Sequence, residues 1–392
     1  MISVTPLALV LSLVVTGPSA GLPAAPASPA VASPVPDADG ASSGLPRPTG
    51  PYAVGRDVLH LVDESRPDPW VPEVDVRQLM VSMYYPAQHA TGDSAPYMTA
   101  EEARLLLQSK VPGSTVPVET ISGLRTFSYT GARPVPGRYP LVVLSPGLSL
   151  PRATLSSLAE DLASHGYVVA LVDHTYESTG TTFPDGQTLA CVICDQPPTD
   201  GPGVIPLSRA QDISFVLDQL TGLRATWRYA ELIDPDRIGM AGHSIGGASA
   251  ATAMAADTRI RAGVNLDGTF RAPVPESGLG GRPFLLLGTR SDHAPGLDDT
   301  WDRDWTNLDG WKRWLTVAGT EHDSFNDAPV LEALLGLADP AVLSPQRSVE
   351  ITRDYVGAFF DLHLKGKREP LLDGPSASNP EVAFEQPALS NP

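Results

Sequence analysis

The segment "DRIGMAGHSIGGASAATAMAA", residues 236–256, constrains the fold more than any other. An apolar run ending at Met240 meets a helix of small residues across a turn of only a few positions. A strand and a helix joined this tightly belong to a sheet whose faces are covered by helices. The rest of the second half repeats the alternation. Strands are predicted over residues 260–268 ("IRAGVNLDG"), 282–290 ("RPFLLLGTR") and 311–319 ("WKRWLTVAG"), and an amphipathic helix over residues 348–366. Upstream, "RYPLVVLSPG" reads as an apolar strand ending in a Pro-Gly turn, and "RATLSSLAEDLASHG" as a helix stopped by Gly166. "YVVALVDH" is continuously apolar, as a strand buried on both faces should be. Residues 77–87 alternate like an early strand, Thr99 caps a helix running through Leu107, and a further helix covers residues 207–225. The predicted class is α/β, a mainly parallel central sheet with helices on both faces. Ligands bind such sheets beyond the carboxyl ends of the strands.

The ends of the chain read differently. An apolar run from Leu7 to Val15 is too short to span a bilayer and suits the core of a signal peptide, assigned to residues 1–22. This implies an exported, extracellular protein. No cysteine follows the run, so a lipoprotein anchor is not supported. Residues 23–51 are dominated by Ala, Pro, Ser and Gly and are expected to form a disordered linker. One catalytic domain is expected over residues 52–366, with a C-terminal tail over residues 367–392. The net charge of −18 excludes an electrostatic affinity for nucleic acid or anionic membranes. The expected partner is a small-molecule or lipid ester, with no nucleic acid and no stable membrane anchor.

The chemistry sits at the strand ends. Gly242-His243-Ser244-Ile245-Gly246 has the Gly-x-Ser-x-Gly spacing of a nucleophile elbow, weak evidence alone in a chain with 35 glycines. Its place between strand and helix strengthens it: the turn strains the serine, and glycines two positions away on either side avoid clashes. A serine at its ordinary pKa needs a base. His293, His322 and His363 follow it in order. His322, after the last predicted strand in "AGTEHDSF", is the expected base; His293 is the alternative, while His363 falls within the final helix and reads as structural. His243, adjacent to the serine, is assigned to packing. Two carboxylates compete to orient the base: Asp267, ending "AGVNLDG", and Asp292, ending "GTRSD". Pattern alone leaves them even. The amide of Ile245, directly after the nucleophile, is expected to form one half of an oxyanion hole.

Taken together, "VVLSPGLSLPRATLSSLAEDLASHGYVVALVDH", "GHSIGG", "NLDG" and "HDSF" resemble the platelet-activating-factor acetylhydrolase family over residues 52–366. The resemblance implies an α/β-hydrolase fold and serine-dependent, calcium-independent cleavage of carboxylic esters, without metal or cofactor, acting on short-chain acyl lipids or phospholipids. It also implies Asp267 as the acid and His322 as the base. Pro146-Gly147-Leu148 stands where that family has His-Gly-Leu, making the Leu148 amide the second oxyanion donor. Alternatives on the same fold are a polyester hydrolase, an acyltransferase or a catalytically silent binding protein.

Two further features are read from the residues. Cys191 and Cys194, in "ACVICDQPP", lack the partner ligands of a zinc site and favour a local disulfide in an exported chain. Trp301, Trp305, Trp311 and Trp314 cluster before the last strand and are expected to pack on the sheet, with pocket lining as the alternative.

Overall fold

The computed structural model describes residues 44–387, so the predicted signal peptide, most of the linker and the last five residues lie outside the described part. Residues 44–51, assigned above to the linker, lie on the domain. Leu45 is buried and its amide donates to Arg125 O, while Thr49 donates to Asp161. A Pro-rich composition did not register one anchoring leucine.

The first elements are β1 (Ala53–Asp63), β2 (Arg77–Ala87), β3 (Asp93–Ser94), α1 (Ala100–Lys110), α2 (Glu119–Ser122) and β4 (Ser128–Thr130). Thr99 caps α1 as predicted, in a reciprocal capping box with Glu102. Next come β5 (Tyr139–Ser145), α3 (Ser156–Ser164) and β6 (Val168–His174). The polar excursion holds a small hairpin, β7 (Thr181–Thr182) with β8 (Thr188–Leu189), and α4 (Val192–Asp195) before α5 (Val204–Thr221). The motif-bearing half follows: β9 (Ile233–His243), α6 (Ile245–Ala256), β10 (Ile260–Leu266), β11 (Phe284–Thr289), α7 (Arg290–His293), α8 (Asp299–Asn307) and β12 (Lys312–Val317). The chain closes with α9 (Ala328–Leu334), α10 (Pro345–Lys365) and β13 (Val382–Phe384).

The main sheet has the order β13-β12-β11-β10-β9-β5-β6-β2-β1-β4-β3. Strands β12 through β6 in that order are mutually parallel, and antiparallel neighbours flank them at β2 and β13. The sheet is therefore mainly parallel, as predicted. The segment after residue 366, expected as a tail, supplies β13, which pairs with β12. Two apolar layers cover the sheet. One is built from α5 and α6 residues such as Ile213, Leu217 and Met254; the other from α3 and α10 residues such as Leu158, Leu162, Phe359 and Phe360. Both faces of β5 and β6 are buried, which accounts for their unbroken apolar sequence. Strand order reverses at β5, and the ends of β5 and β9 lie side by side, with Ser145 opposite Gly242. That is the switch point at which open α/β sheets bind ligands.

Candidate active site

Ser244 links β9 to α6 with φ 56° and ψ −125°, a left-handed conformation unusual for a non-glycine residue. The flanking glycines are required by close approach. A Cβ on Gly246 would lie 2.0 Å from Ser145 O, and one on Gly242 would lie 2.3 Å from Gly246 C. The helix start is thus pressed against the end of β5, and Ser244 is forced outward. It is only partly buried, with Asp267 and His322 at hand.

The structure brings the three sequence-predicted side chains into one chain of hydrogen bonds. His322 Nε2 lies 2.9 Å from Ser244 Oγ, and His322 Nδ1 lies 2.7 Å from Asp267 Oδ2. Asp267 follows β10 with φ 58° and is buried, whereas the His322 side chain is about half exposed, at 51%. His322 is not the only anchor of this carboxylate: Thr289 N donates to Oδ1 at 2.6 Å. Burial alone would raise the Asp267 pKa, but contacts with His293 and His322 and the Thr289 amide hold it well below the usual carboxylate range. Hydrogen bonding to Asp267 lifts the His322 pKa against the opposing effect of burial. This is the arrangement that lets an imidazole accept a proton from a hydroxyl and keep it.

The competing residues go elsewhere. Asp292 is exposed and accepts from Thr289 Oγ1 in the first turn of α7. His293 is buried on the far side of Asp267, with Nδ1 2.9 Å from Asp267 Oδ1. His363 packs against Trp311 and Phe359, and burial pushes its pKa down to about 4. His243 is buried as expected, yet it does more than pack. Its Nε2 donates to His322 O at 2.8 Å and so supports the turn that carries the base.

Both predicted oxyanion amides lie at the junction of β5 and β9. Ile245 is the first residue of α6, where an N–H has no intrahelical acceptor. Leu148 lies in the turn after β5, which is pinned on every side. Ser149 N donates to Glu177 O, Leu150 N donates to Gly147 O, and Pro146 O accepts from Arg209 Nη1 at 2.5 Å. Arg209 also donates to Ser145 Oγ at 3.0 Å and to Glu177 Oε2 at 2.7 Å. Behind it, Arg77 spans Asp212 and Asp68, and His174 joins Asp212 to Ser145 Oγ. His174, Glu177 and Asp212 place ligand atoms within 4.8 Å of one another. Their carboxylates are already occupied by Arg77 and Arg209, so the donor set suits an arginine network better than a cation.

Sequence reasoning missed this network. Its signal was available in α5, where Arg209 and Asp212 fall on the same stripe as Ile205, Ile213 and Val216. Charges at core spacing call for buried partners.

The remaining motifs settle simply. Cys191 and Cys194 form a disulfide at the N-terminus of α4. Cys191, Ile193 and Ile205 pack with Ile245, against Leu148 and Trp70, so the stapled segment rests on both predicted oxyanion residues. Trp301 and Trp314 are fully buried, and Trp305 lies against Trp314. They pack on the sheet as expected. A cleft of about 730 Å³ opens beside the His322 turn, walled by α1, Leu150, α9 and the acidic Glu321 and Asp323. Neither Ser244 nor His322 is in its wall, so the cleft borders the turn that carries the base without containing the serine.

Sheet order, elbow and hydrogen-bond chain define an α/β-hydrolase. Within that class, the family model for platelet-activating factor acetylhydrolase, isoform II, matches residues 38–190 and 223–366, and the chain belongs to this family. The chain is similar to a probable 1-alkyl-2-acetylglycerophosphocholine esterase of Arthroderma benhamiae, at 31% identity over 87% of this chain and 93% of that protein. It is also similar to the platelet-activating factor acetylhydrolase of Bos taurus, at 28% identity over 73% of this chain and 68% of that protein. Among solved structures, a ferulic acid esterase from Streptomyces cinnamoneus superposes with a TM-score of 0.80 and 44% identity, over 88% of this chain and all of that one.

Proposed function

We propose that the protein is an exported serine esterase that cleaves carboxylic esters of compact acyl groups through an acyl-enzyme. The observation that carries this reading is the unbroken contact from Ser244 Oγ through His322 to the buried Asp267. His322 takes the serine proton as Ser244 Oγ attacks the ester carbonyl. Asp267 holds the imidazole in the tautomer with its N–H on Nδ1 and offsets the imidazolium charge. The Ile245 and Leu148 amides receive the tetrahedral oxyanion. His322 then protonates the departing alkoxide. Water, deprotonated by the same imidazole, releases the acid and restores the serine.

Membership of the acetylhydrolase family supports acetylated glycerophospholipids or other short-chain esters as substrates, and the apolar cleft beside His322 suits a lipid chain near the reacting bond. The 44% identity to a ferulic acid esterase favours a second reading, an ester of ferulic acid. Export is supported by the apolar run from Leu7 to Val15 and by the Cys191–Cys194 disulfide, since such bonds persist in oxidising compartments.

The test is active-site labelling by a fluorophosphonate probe in wild type and Ser244→Ala, followed by kcat/KM on p-nitrophenyl esters of rising chain length, an acetylated phosphocholine lipid and methyl ferulate. Ser244-dependent labelling with turnover of these esters is expected. Labelling that persists without Ser244 would remove it as the nucleophile, and none in the wild type would remove the esterase reading and leave a binding protein. The kcat/KM ranking of lipid against ferulate decides between the two substrate classes.

A further inference from the structure

The mechanism above uses one histidine on Asp267, but two are in contact with it. His322 Nδ1 meets Oδ2 at 2.7 Å; His293 Nδ1 meets Oδ1 at 2.9 Å from the other side. The second nitrogen of His293 also faces an anion, with Nε2 3.3 Å from Asp298 Oδ2. A neutral imidazole would set a ring-nitrogen lone pair against one of the two carboxylates, whereas an imidazolium faces each with an N–H. Neither nitrogen is aligned for an ordinary hydrogen bond, so the contacts act through charge rather than direction.

We propose that His293 is a positioning residue of the esterase relay, a cationic imidazole clamped between Asp267 and Asp298 that holds the acid by the oxygen His322 does not use. The proposal rests on the esterase reading for its catalytic consequence and on geometry alone for the charge of the ring.

The surroundings are built for such a clamp. His293 is 4% exposed, with its ring centroid 4.3 Å from that of Trp301 in α8. From β12, Trp314 Nε1 donates to His293 O and fixes the backbone at the end of α7. Asp298 is the N-cap of α8 and is itself held by Thr269 and Thr300. Trp301 Nε1 donates to Gly268 O, tying α8 to the loop that carries Asp267. The charged groups facing His293 are Asp267 after β10, Asp298 before α8, and His322 across Asp267. Asp298, His293, Asp267 and His322 thus form a row of alternating charge once His322 accepts the serine proton.

Two consequences follow. The acid is oriented at both oxygens, so its bond to His322 does not depend on water filling the buried side. The cation also lowers the proton affinity of His322, opposing the stronger effect of Asp267. His293 itself keeps its proton to about pH 9, because Asp267 and Asp298 outweigh the cost of burial.

Two measurements test this. In Ser244→Ala protein, which has no turnover, the ¹⁵N signals of the His293 ring should show both N–H groups at pH 7.5. A neutral tautomer there overturns the proposal, whether or not the chain cleaves esters. In otherwise wild-type protein, His293→Gln should lower kcat for p-nitrophenyl acetate by about 10–100-fold with KM nearly unchanged. The acidic limb of its kcat/KM profile should also move to higher pH by about half a unit or more. A folded His293→Gln protein with wild-type kcat and an unmoved limb refutes the positioning role. If the variant does not fold, the ring titration in Ser244→Ala still decides. A failure of the esterase reading is separate, since it shows as absent turnover and labelling in the wild type.

Discussion

A single methyl group at the elbow tests the packing argument most directly. In Gly246→Ala, the new Cβ meets Ser145 O at 2.0 Å and Pro146 O at 2.8 Å, both backbone atoms that no rotamer change can move aside. Ordinary contact begins near 3.4 Å, so α6 or the end of β5 must retreat by more than 1 Å. Overpacking of this kind costs about 1–3 kcal/mol, which exceeds the gain of about 1 kcal/mol from replacing a helical glycine. The retreat also separates the Ile245 amide from the Leu148 turn, and misplacement of about 1 Å costs about 10²-fold in rate. Gly357→Ala in α10 is the matched control. No heavy atom lies within 4 Å of its added Cβ, so helix propensity should act alone and stabilise by about 0.5–1 kcal/mol. Urea unfolding and kcat for p-nitrophenyl acetate on both variants provide the comparison. If Gly246→Ala keeps wild-type stability and kcat, the glycine is not needed to seat the nucleophile and the argument fails.

Asp267→Asn should lose about 10⁴-fold in kcat because the amide favours the wrong imidazole tautomer, while the exposed Asp292→Asn should stay within about twofold; equal losses in steady-state assays would contradict the assignment of the acid. Arg209→Met should lower kcat by about 10²-fold through a loosened Pro146 turn. It should also cost about 1–3 kcal/mol of stability, measured by urea unfolding, because the buried Glu177 Oε2 loses its donor, while Trp70 and the more distant Arg77 remain, both on Oε1. His322 must be neutral to accept the serine proton, and Asp267 raises its pKa. Wild-type kcat/KM should therefore fall with acidification through a midpoint above the ordinary imidazole value of about 6.5; a pH–rate profile with its midpoint below that value contradicts the pairing.

The parallel sheet was legible because each of its strands is a short apolar run closed by a turn, as in "PLVVLS" and "PFLLLGT". Ser244 and His322 were legible for a related reason: chain order and position at a strand end restrict which residues can meet there. Asp267 was harder. Asp267 and Asp292 both follow strands; Asp267 turns directly off β10 with φ 58° and is buried, whereas Asp292 is carried into α7 and exposed, and periodicity records neither. What stayed hidden is the pairing of charges across elements. Nothing local links Arg209 to Pro146, 63 positions apart, or His293 to Asp267. β4 and β13 were missed because they are three-residue strands at the margins of the sheet, and β1 because its outward positions Val58 and Val62 are apolar and blur the alternation.

The non-glycine residues with left-handed φ among the described residues are Ser149, Tyr176, Ser244 and Asp267. Two belong to the relay, and the other two flank the turn that carries Leu148, since Ser149 N donates to Glu177 O beside Tyr176. Each such residue costs about 1–3 kcal/mol, so the surrounding contacts must over-determine it. Burying Arg77, Arg209, Asp212 and Glu177 behind this turn looks costly beside apolar packing of equal volume, which is often the more stable choice for a buried ion pair. An apolar side chain, however, cannot donate to Pro146 O and Ser145 Oγ while being held in turn by Glu177. Only a fixed, multiply bonded donor holds the Pro146 carbonyl, and with it the turn that carries Leu148, in one position. On this account the charges under the sheet end and the strain above it are one device. Taken whole, the network contributes position more than stability, but removing Arg209 alone should lose rate through the freed turn and folding free energy through the buried charge left behind.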